Sequence, residues 1–290
     1  TTIASNLAVY LRAQRDDLPV LVLSLDDQTG LDRMFGLDGS GSGETLVDGL
    51  RALNLGAAIR LGRYGVHYVP PGSDVADLKR EIVGLSSLDT ALRRSGWEGL
   101  VVIDTKSDLE ILTRNAIAAS DLVLTVVKDQ ASFLEAEKVY AILSASGRPR
   151  EEAWIVLSMI DLRIKYATDG AQRDILTLLL TRIRERGYPV LPSFLSYSPK
   201  IESLHTNPDG DALPILHHAE GSLVHRQMLH LAEDVLKRLD ASPCLERSAP
   251  TTKPRPDSDL KSQLLHGSRP PDRPAPPESS ETRYSSRPPA

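Results

Sequence analysis

A single cysteine, Cys244, stands among the 290 residues. That excludes an internal disulfide framework and any cysteine-ligated metal centre built from one chain, and it suits a free thiol in a reducing cytoplasm. Aromatic residues are few, with 3 Phe, 2 Trp and 8 Tyr, too few to expect a platform for stacked bases. No apolar run approaches the roughly 18 residues of a membrane-spanning helix. An excess of positive charge is absent as well. The 34 basic and 39 acidic residues give a net charge of −5, which argues against a surface coated for nucleic acid and leaves room only for a local basic patch.

What is present is ordinary for a globular protein: 41% hydrophobic and 25% charged residues, in a chain long enough to bury one large core or two modest ones. The composition changes near Asp240. Residues 241–290 hold 11 of the 20 prolines, with much Ser and Arg, and such a segment buries too little apolar surface to offset its ordering entropy. It reads as a disordered tail behind a domain over 1–240.

Within 1–240, short apolar runs alternate with helical patterns. Strands are expected at 19–25, 65–70, 99–104, 121–127, 153–160 and 188–194. Helices are expected over about 74–83, 88–94, 108–119, 132–144, 171–186 and 223–239. This is the signature of an α/β fold, a doubly wound, mostly parallel sheet with helices on both faces. Ligands of such sheets bind beyond the carboxyl ends of the strands.

The opening segment, TTIASNLAVYLRAQ, is an amphipathic helix with Leu7, Val9 and Leu11 on its apolar side and Asn6, Arg12 and Gln14 on its polar side. No capping turn precedes it. Two apolar runs lead into acids, in LSLDDQTG and VVIDTKSD, which places Asp26 and Asp104 at strand ends. An acid there, facing a helix N-terminus, suits Mg²⁺ and phosphate; a surface turn at Asp26 and a helix cap at Asp104 are the plainer alternatives.

Taken in order, TTIASNLAVYL, VLSLDDQTGLDRMFGL, GVHYVPPGSDVADLKREI, LVVIDTKSDLEILTRNAIAASDLVLTVV and YPVLPSFLSYSPKIESL resemble the successive blocks of the ParA/MinD family of deviant Walker A P-loop ATPases, over essentially residues 1–240. The first motif of that family is K-G-G-x-G-K-[T/S]-T, and this chain opens on its last two residues. The resemblance therefore implies a first strand and phosphate loop, with both lysines, ahead of Thr1. It implies ATP and Mg²⁺ as cofactors and ATP hydrolysis as the activity, with the sequence as given inactive without its loop. Thr1 would be the Mg²⁺-coordinating hydroxyl and Thr2 a phosphate contact. Asp26 would be the switch acid that places the attacking water, with Gln28 beside it. Asp104 would hold the hydration shell of the metal.

The chain also departs from the family pattern. Ser24 stands at the first switch acid and Asp27 at its proline. Lys106 replaces the first proline of D-T-P-P and so places a cation near the phosphate position. Ser158 and Ser196 stand where the base-contacting asparagine and the proline of the adenine-side loop are expected, which leaves base recognition open.

Other signals point to less. GSGSG at 39–43 follows no strand and fails G-x-G-x-x-G, so it reads as a loop. The histidines 217, 218, 225 and 230 read as solvated. The stretch 161–186 carries six basic and four acidic residues. It reads by default as a solvated face, and the resemblance adds Arg182, Arg184 and Arg186 as candidates for non-specific DNA contact. A Pro/Ser/Arg-rich end disfavours the membrane-binding branch of the family.

The resemblance implies a cytoplasmic, nucleoid-associated switch that dimerises around ATP, acts in chromosome or plasmid partition or in positioning a cellular assembly, and is reset by a hydrolysis-stimulating partner. A non-hydrolysing regulator on the same fold is the alternative, and a metabolic ligase ranks third.

Overall fold

The computed structural model describes residues 1–26, 30–36, 43–72, 74–168, 170–203 and 212–240. Gln28, Asp27, most of the GSGSG segment and the tail 241–290 lie outside the described residues.

The first helix, α1 (Thr2–Gln14), presents Leu7, Ala8, Val9, Tyr10 and Leu11 to the core. It feeds β1 (Val20–Ser24), whose five residues are all buried. The short helices α2 (Gly30–Phe35) and α3 (Leu46–Arg51) follow. The second starts with a capping box in which the Thr45 side chain accepts from the Asp48 N–H and the Asp48 carboxylate accepts from the Thr45 N–H. Next come β2 (Arg60–Leu61), β3 (His67–Tyr68), α4 (Val75–Glu81), α5 (Ser87–Arg94) and β4 (Leu100–Asp104). Gly99 brings β4 against the turn before β1: a Cβ there would lie 2.4 Å from the Pro19 carbonyl oxygen, which accepts the Leu100 N–H at 2.9 Å. The first sheet has the order β2-β3-β1-β4, with β1 parallel to both of its neighbours and β2 antiparallel.

The second half runs α6 (Ile111–Ala119), β5 (Val123–Val127), α7 (Gln130–Ala145) and β6 (Ala153–Ile160). A capping box between Asp129 and Ser132 starts α7. A hairpin of β7 (Lys165–Thr168) and β8 (Ala171–Asp174) intervenes before α8 (Ile175–Glu185). After it come β9 (Val190–Ser196), α9 (Pro199–Ser203), α10 (Ile215–His218) and α11 (Leu223–Asp240). The second sheet, β5-β6-β9, is parallel throughout. The α/β class with parallel sheets flanked by helices is as expected from the sequence.

Three expectations are corrected. Residues 171–174 form a strand rather than the start of a helix: Thr168 pairs with Ala171 and Gly170 has φ +76°, and the helix starts only where the Asp174 carboxylate accepts the Thr177 N–H at 2.8 Å. Asn6 is not on a polar face but fully buried. The parallel strands form two sheets rather than one, since β4 and β5, although joined by α6, are not paired with each other. Their facing edges line a cavity of about 1,980 Å³ that also takes in side chains of α1, α6, α7 and α11.

Candidate nucleotide and metal site

Strand register builds the centre of the site. Because β1 and β4 are parallel and aligned from Val20↔Leu100 to Ser24↔Asp104, their last residues lie side by side. The Leu25 N–H donates to the Asp104 carbonyl at 2.8 Å and carries the pairing one residue further. Asp104 is 4% exposed, and a buried carboxylate requires partners. It has them: the Ser24 hydroxyl donates to its Oδ2 at 3.2 Å, and the amino group of Thr1 lies 3.0 Å from its Oδ1. Ser24 Oγ in turn accepts the Asp26 backbone N–H at 3.2 Å. Lys106, two residues past the end of β4, sets its ammonium 3.6 Å from Asp26 Oδ1. The two candidate acids are thus linked through Ser24, with the Lys106 ammonium beside Asp26.

The head of α1 sits on this cluster. Its first turn has no side-chain cap, so its free N–H groups and positive dipole end face the acids. Two side chains fix the turn. The Ser5 hydroxyl donates to the Thr1 carbonyl at 2.9 Å, and Asn6 Nδ2 donates to the Thr2 carbonyl at 2.8 Å. Asn6 Oδ1 also accepts the Ile215 N–H at 2.7 Å, which ties α1 to α10. Asn6 is the positioning residue that sequence reasoning missed; the available signal was an amide four residues beyond Thr2 inside an otherwise apolar helix.

Ser158 and Ser196 stand near the carboxyl ends of β6 and β9. Ser158 is buried. Gln227 of α11 clamps Ser196, accepting its N–H and donating to its hydroxyl, both at 2.9 Å. Between Leu157 and Ile160 the pairing with β9 slips, and Met159 adopts φ +56° with its side chain half exposed. Thr1, Thr2, Asp104, Lys106, Ser158 and Ser196 all line the one cavity, and Asp26 joins them through Lys106 and Ser24.

Arg182, Arg184 and Arg186 stand apart, in the last turn and C-cap of α8. Arg182 lies 3.9 Å from Glu185 and Arg186 lies 3.5 Å from Glu137. Arg163 and Lys165 likewise have Asp161 and Asp174 as partners, so four of the six basic residues between 161 and 186 face carboxylates of the same chain. The histidines divide. His218 and His230 are exposed as expected. His217, however, stacks on Tyr64 with ring centroids 5.2 Å apart, and His225 Nδ1 lies 2.8 Å from the Tyr10 hydroxyl, so these two are packed rather than solvated.

A Mg²⁺ ion takes hard oxygen donors. Asp104 and Thr1 line the same cavity, and a carboxylate with a hydroxyl is a donor chemistry that suits it. A phosphate cradle is less complete. Beyond the head of α1, no glycine-rich turn joins a strand to this helix among the described residues. Among them, too, no helix is long and apolar enough to cross a membrane.

No protein-family model matches the chain, and no curated protein matches it. Solved structures do. A plasmid partition protein of Borrelia burgdorferi bound to AMPPNP is 13% identical, with a TM-score of 0.56 over 81% of this chain and 92% of that one. The cell division ATPase MinD of Pyrococcus furiosus is 20% identical, with a TM-score of 0.60 over 81% and 92%. Cobyrinic acid a,c-diamide synthase of Mycobacterium smegmatis, with bound ADP and magnesium, is 17% identical, with a TM-score of 0.60 over 87% and 93%. The chain has the fold of ParA/MinD-type P-loop proteins.

Proposed function

We infer that the protein is a ParA-like ATPase that binds ATP with Mg²⁺ where β1 and β4 end, dimerises around the nucleotide, and acts as a switch in partitioning DNA or positioning a cellular assembly. The observation that carries this reading is the linked acid pair at the head of α1: Asp104 buried and bonded to Ser24, with Asp26 one hydrogen bond further on. Structural neighbours with bound AMPPNP or with ADP and magnesium support the choice of cofactors. In this reading Thr1 and Asp104 hold the metal, which when bound neutralises phosphate charge. The first turn of α1, with Thr2, faces the phosphates, and Lys106 adds a cation beside them. Asp26 orients the attacking water, aided by Gln28, and Ser158 and Ser196 lie toward the base. Reset by a stimulating partner and non-specific DNA contact through Arg182, Arg184 and Arg186 belong to the same proposal, as does a location at the nucleoid.

The described residues hold no glycine-rich backbone cradle for phosphate at the head of α1. The chain as given therefore binds ATP·Mg²⁺ weakly, and joining it to a strand and a K-G-G-x-G-K loop restores binding. Equal affinity with and without the loop overturns the site. In the loop-bearing protein, Asp26→Ala lowers turnover by roughly 10²-fold or more, because its contribution falls mainly in the transition state, while ATP binding persists. Unchanged hydrolysis favours a second reading, a regulator that does not hydrolyse nucleotide. One observation speaks for that reading already: the ammonium of Lys106 pairs with the acid that would orient the water. The similarity to a diamide synthase means that fold alone does not separate a switch from a ligase; an added carboxylic acid substrate that accelerates ADP release would select the ligase.

A further inference from the structure

We propose that the outer edge of β7 is a docking edge for a second copy of this chain. The two β7 strands run antiparallel about a two-fold axis at Tyr166 and join two hairpins into one four-stranded sheet. An open strand edge offers a row of backbone N–H and C=O groups to any other strand, and proteins blunt such edges. The outer edge of β9 is blunted: Asp234 and Gln227 of α11 accept the Ser193 and Ser196 N–H groups at 3.2 and 2.9 Å. The edge of β7 has no such cover. Among the described residues β7 pairs only with β8, in a two-stranded sheet separate from both parallel sheets, and residues 162–167 are all exposed. Two strands alone are marginal, and further strands give such a unit its stability.

Other guards are missing too. The register with β8 is regular from Lys165↔Asp174 to Thr168↔Ala171, so no bulge twists the edge away, and no proline interrupts it. The cations beside it are already compensated. Arg163 meets the Asp161 carboxylate at 2.8 and 2.7 Å, and the Lys165 ammonium lies 3.4 Å from Asp174. With its cations paired, the segment has little pull on an anionic polymer. Ile164 and Tyr166, two residues apart and so on one face, are 48% and 45% exposed.

A second copy fits this edge in one register. Pairing centred on Tyr166 sets residues 164 to 168 of one copy against 168 to 164 of the other, so all of β7 is used. Tyr166 then faces Tyr166, Lys165 faces Ala167, and Ile164 lies diagonal to the other tyrosine and within its reach. Centring on Lys165 would oppose two lysines, and centring on Ile164 would oppose Arg163 and Lys165, which like-charge repulsion disfavours. The contact is isologous and closes at two copies. It needs no nucleotide, so it goes beyond dimerisation around ATP, and either can fail alone.

Sedimentation of the chain as given, without nucleotide and over a range of concentrations, tests the docking edge. A monomer–dimer equilibrium is expected. Tyr166→Lys opposes two charges on the axis and is expected to weaken the dimer roughly tenfold or more. Val83→Lys, in the α4–α5 connection at a side chain 88% exposed, is expected to leave it unchanged. Ala167→Lys, facing Lys165 of the other copy, is expected to weaken it roughly threefold or more, and Ala167→Glu is expected not to weaken it. In a Cys244→Ser background, Tyr166→Cys is expected to cross-link to itself on mild oxidation, and Gln172→Cys on β8 is expected not to. A monomer at every concentration, a dimer only with added ATP·Mg²⁺, or a dimer that Tyr166→Lys leaves intact overturns the proposal. Equal effects of lysine and glutamate at 167, or cross-linking at 172 rather than 166, overturn the edge and its register.

Discussion

Removing the charge of Lys106 should strengthen cation binding at the acid pair, and the structure sets the scale. The ammonium lies 3.6 Å from Asp26 Oδ1, with side-chain exposures of 27% and 13%. Two unit charges at that distance interact by about 1 kcal/mol in water and about 5 kcal/mol at an effective dielectric of 20. A part-exposed pair falls toward the lower figure once solvent screening and side-chain entropy are allowed for, so about 1–2 kcal/mol is the reasonable range. A divalent cation that approaches the acids meets this resident charge. Lys106→Met therefore tightens Mn²⁺ binding by roughly 5- to 30-fold, read by electron paramagnetic resonance of free Mn²⁺ at fixed ionic strength. Lys106→Arg keeps the charge and leaves the affinity as it was, while Asp104→Asn removes binding in either background. Equal Mn²⁺ affinities in Lys106→Met and the unaltered protein would refute the reasoning. Tighter binding in both Lys106→Met and Lys106→Arg would show that shape, not charge, was at work.

Asn6→Ala leaves the buried Ile215 N–H without its partner and removes the side-chain bond to the Thr2 carbonyl, and should cost about 2–4 kcal/mol in urea unfolding; a loss under 1 kcal/mol would show that the α1–α10 tie is dispensable. Burial holds His67 and His217 below the usual imidazole value, with the nearby Arg12 charge adding to the effect at His67. As pH falls through about 6.5 the unfolded chain takes up protons first, so stability drops between pH 7.5 and 5.5; His217→Phe, which keeps a ring on Tyr64, should flatten that slope, and an unchanged slope would remove His217 from the account. Substituting Arg182, Arg184 and Arg186 together should weaken DNA binding equally on all sequences and shallow its salt dependence; a marked sequence preference, or binding unaffected by the substitutions, would count against phosphate contact at α8.

The elements legible in the sequence were those whose local pattern and tertiary role agree. The run at 153–160 is β6 to the residue, and the helix expected at 223–239 is α11 with one residue more. Asp104 could be read because an acid ending an apolar strand has one place to go in a parallel sheet. Asn6 could not, because helical periodicity assigns an amide to the wet side, and only the free Ile215 N–H, 209 residues away, gives it a reason to be buried. The hairpin at 165–174 was misread although Asp-Gly at 169–170 is a hairpin signature; Leu and Arg spacing further on drew the helix backward over it. The division into two sheets has no local signal at all, since each strand carries the same apolar run whether or not its second edge is paired.

Ser24 and Lys106 make sense together when charge is counted at the site. The family pattern that the sequence resembles has an acid where Ser24 stands, and register pairs position 24 with Asp104. Two carboxylates at that spacing repel, and one of them needs a cation or a proton to stay buried. A hydroxyl at 24 removes the repulsion and supplies a donor to Asp104 Oδ2. Lysine in place of proline at 106 adds a positive charge that reaches Asp26. Relative to the pattern, the two changes shift the local charge by two units toward positive. A site so balanced attracts a divalent ion less on its own, whereas a nucleotide triphosphate brings negative charge that both Lys106 and the head of α1 can meet. Metal and nucleotide should then bind as a unit: ATP is expected to raise Mg²⁺ affinity more in this protein, once it carries a phosphate loop, than in its Lys106→Met variant. Equal enhancement in the two would separate Lys106 from phosphate and leave it as a partner of Asp26 alone.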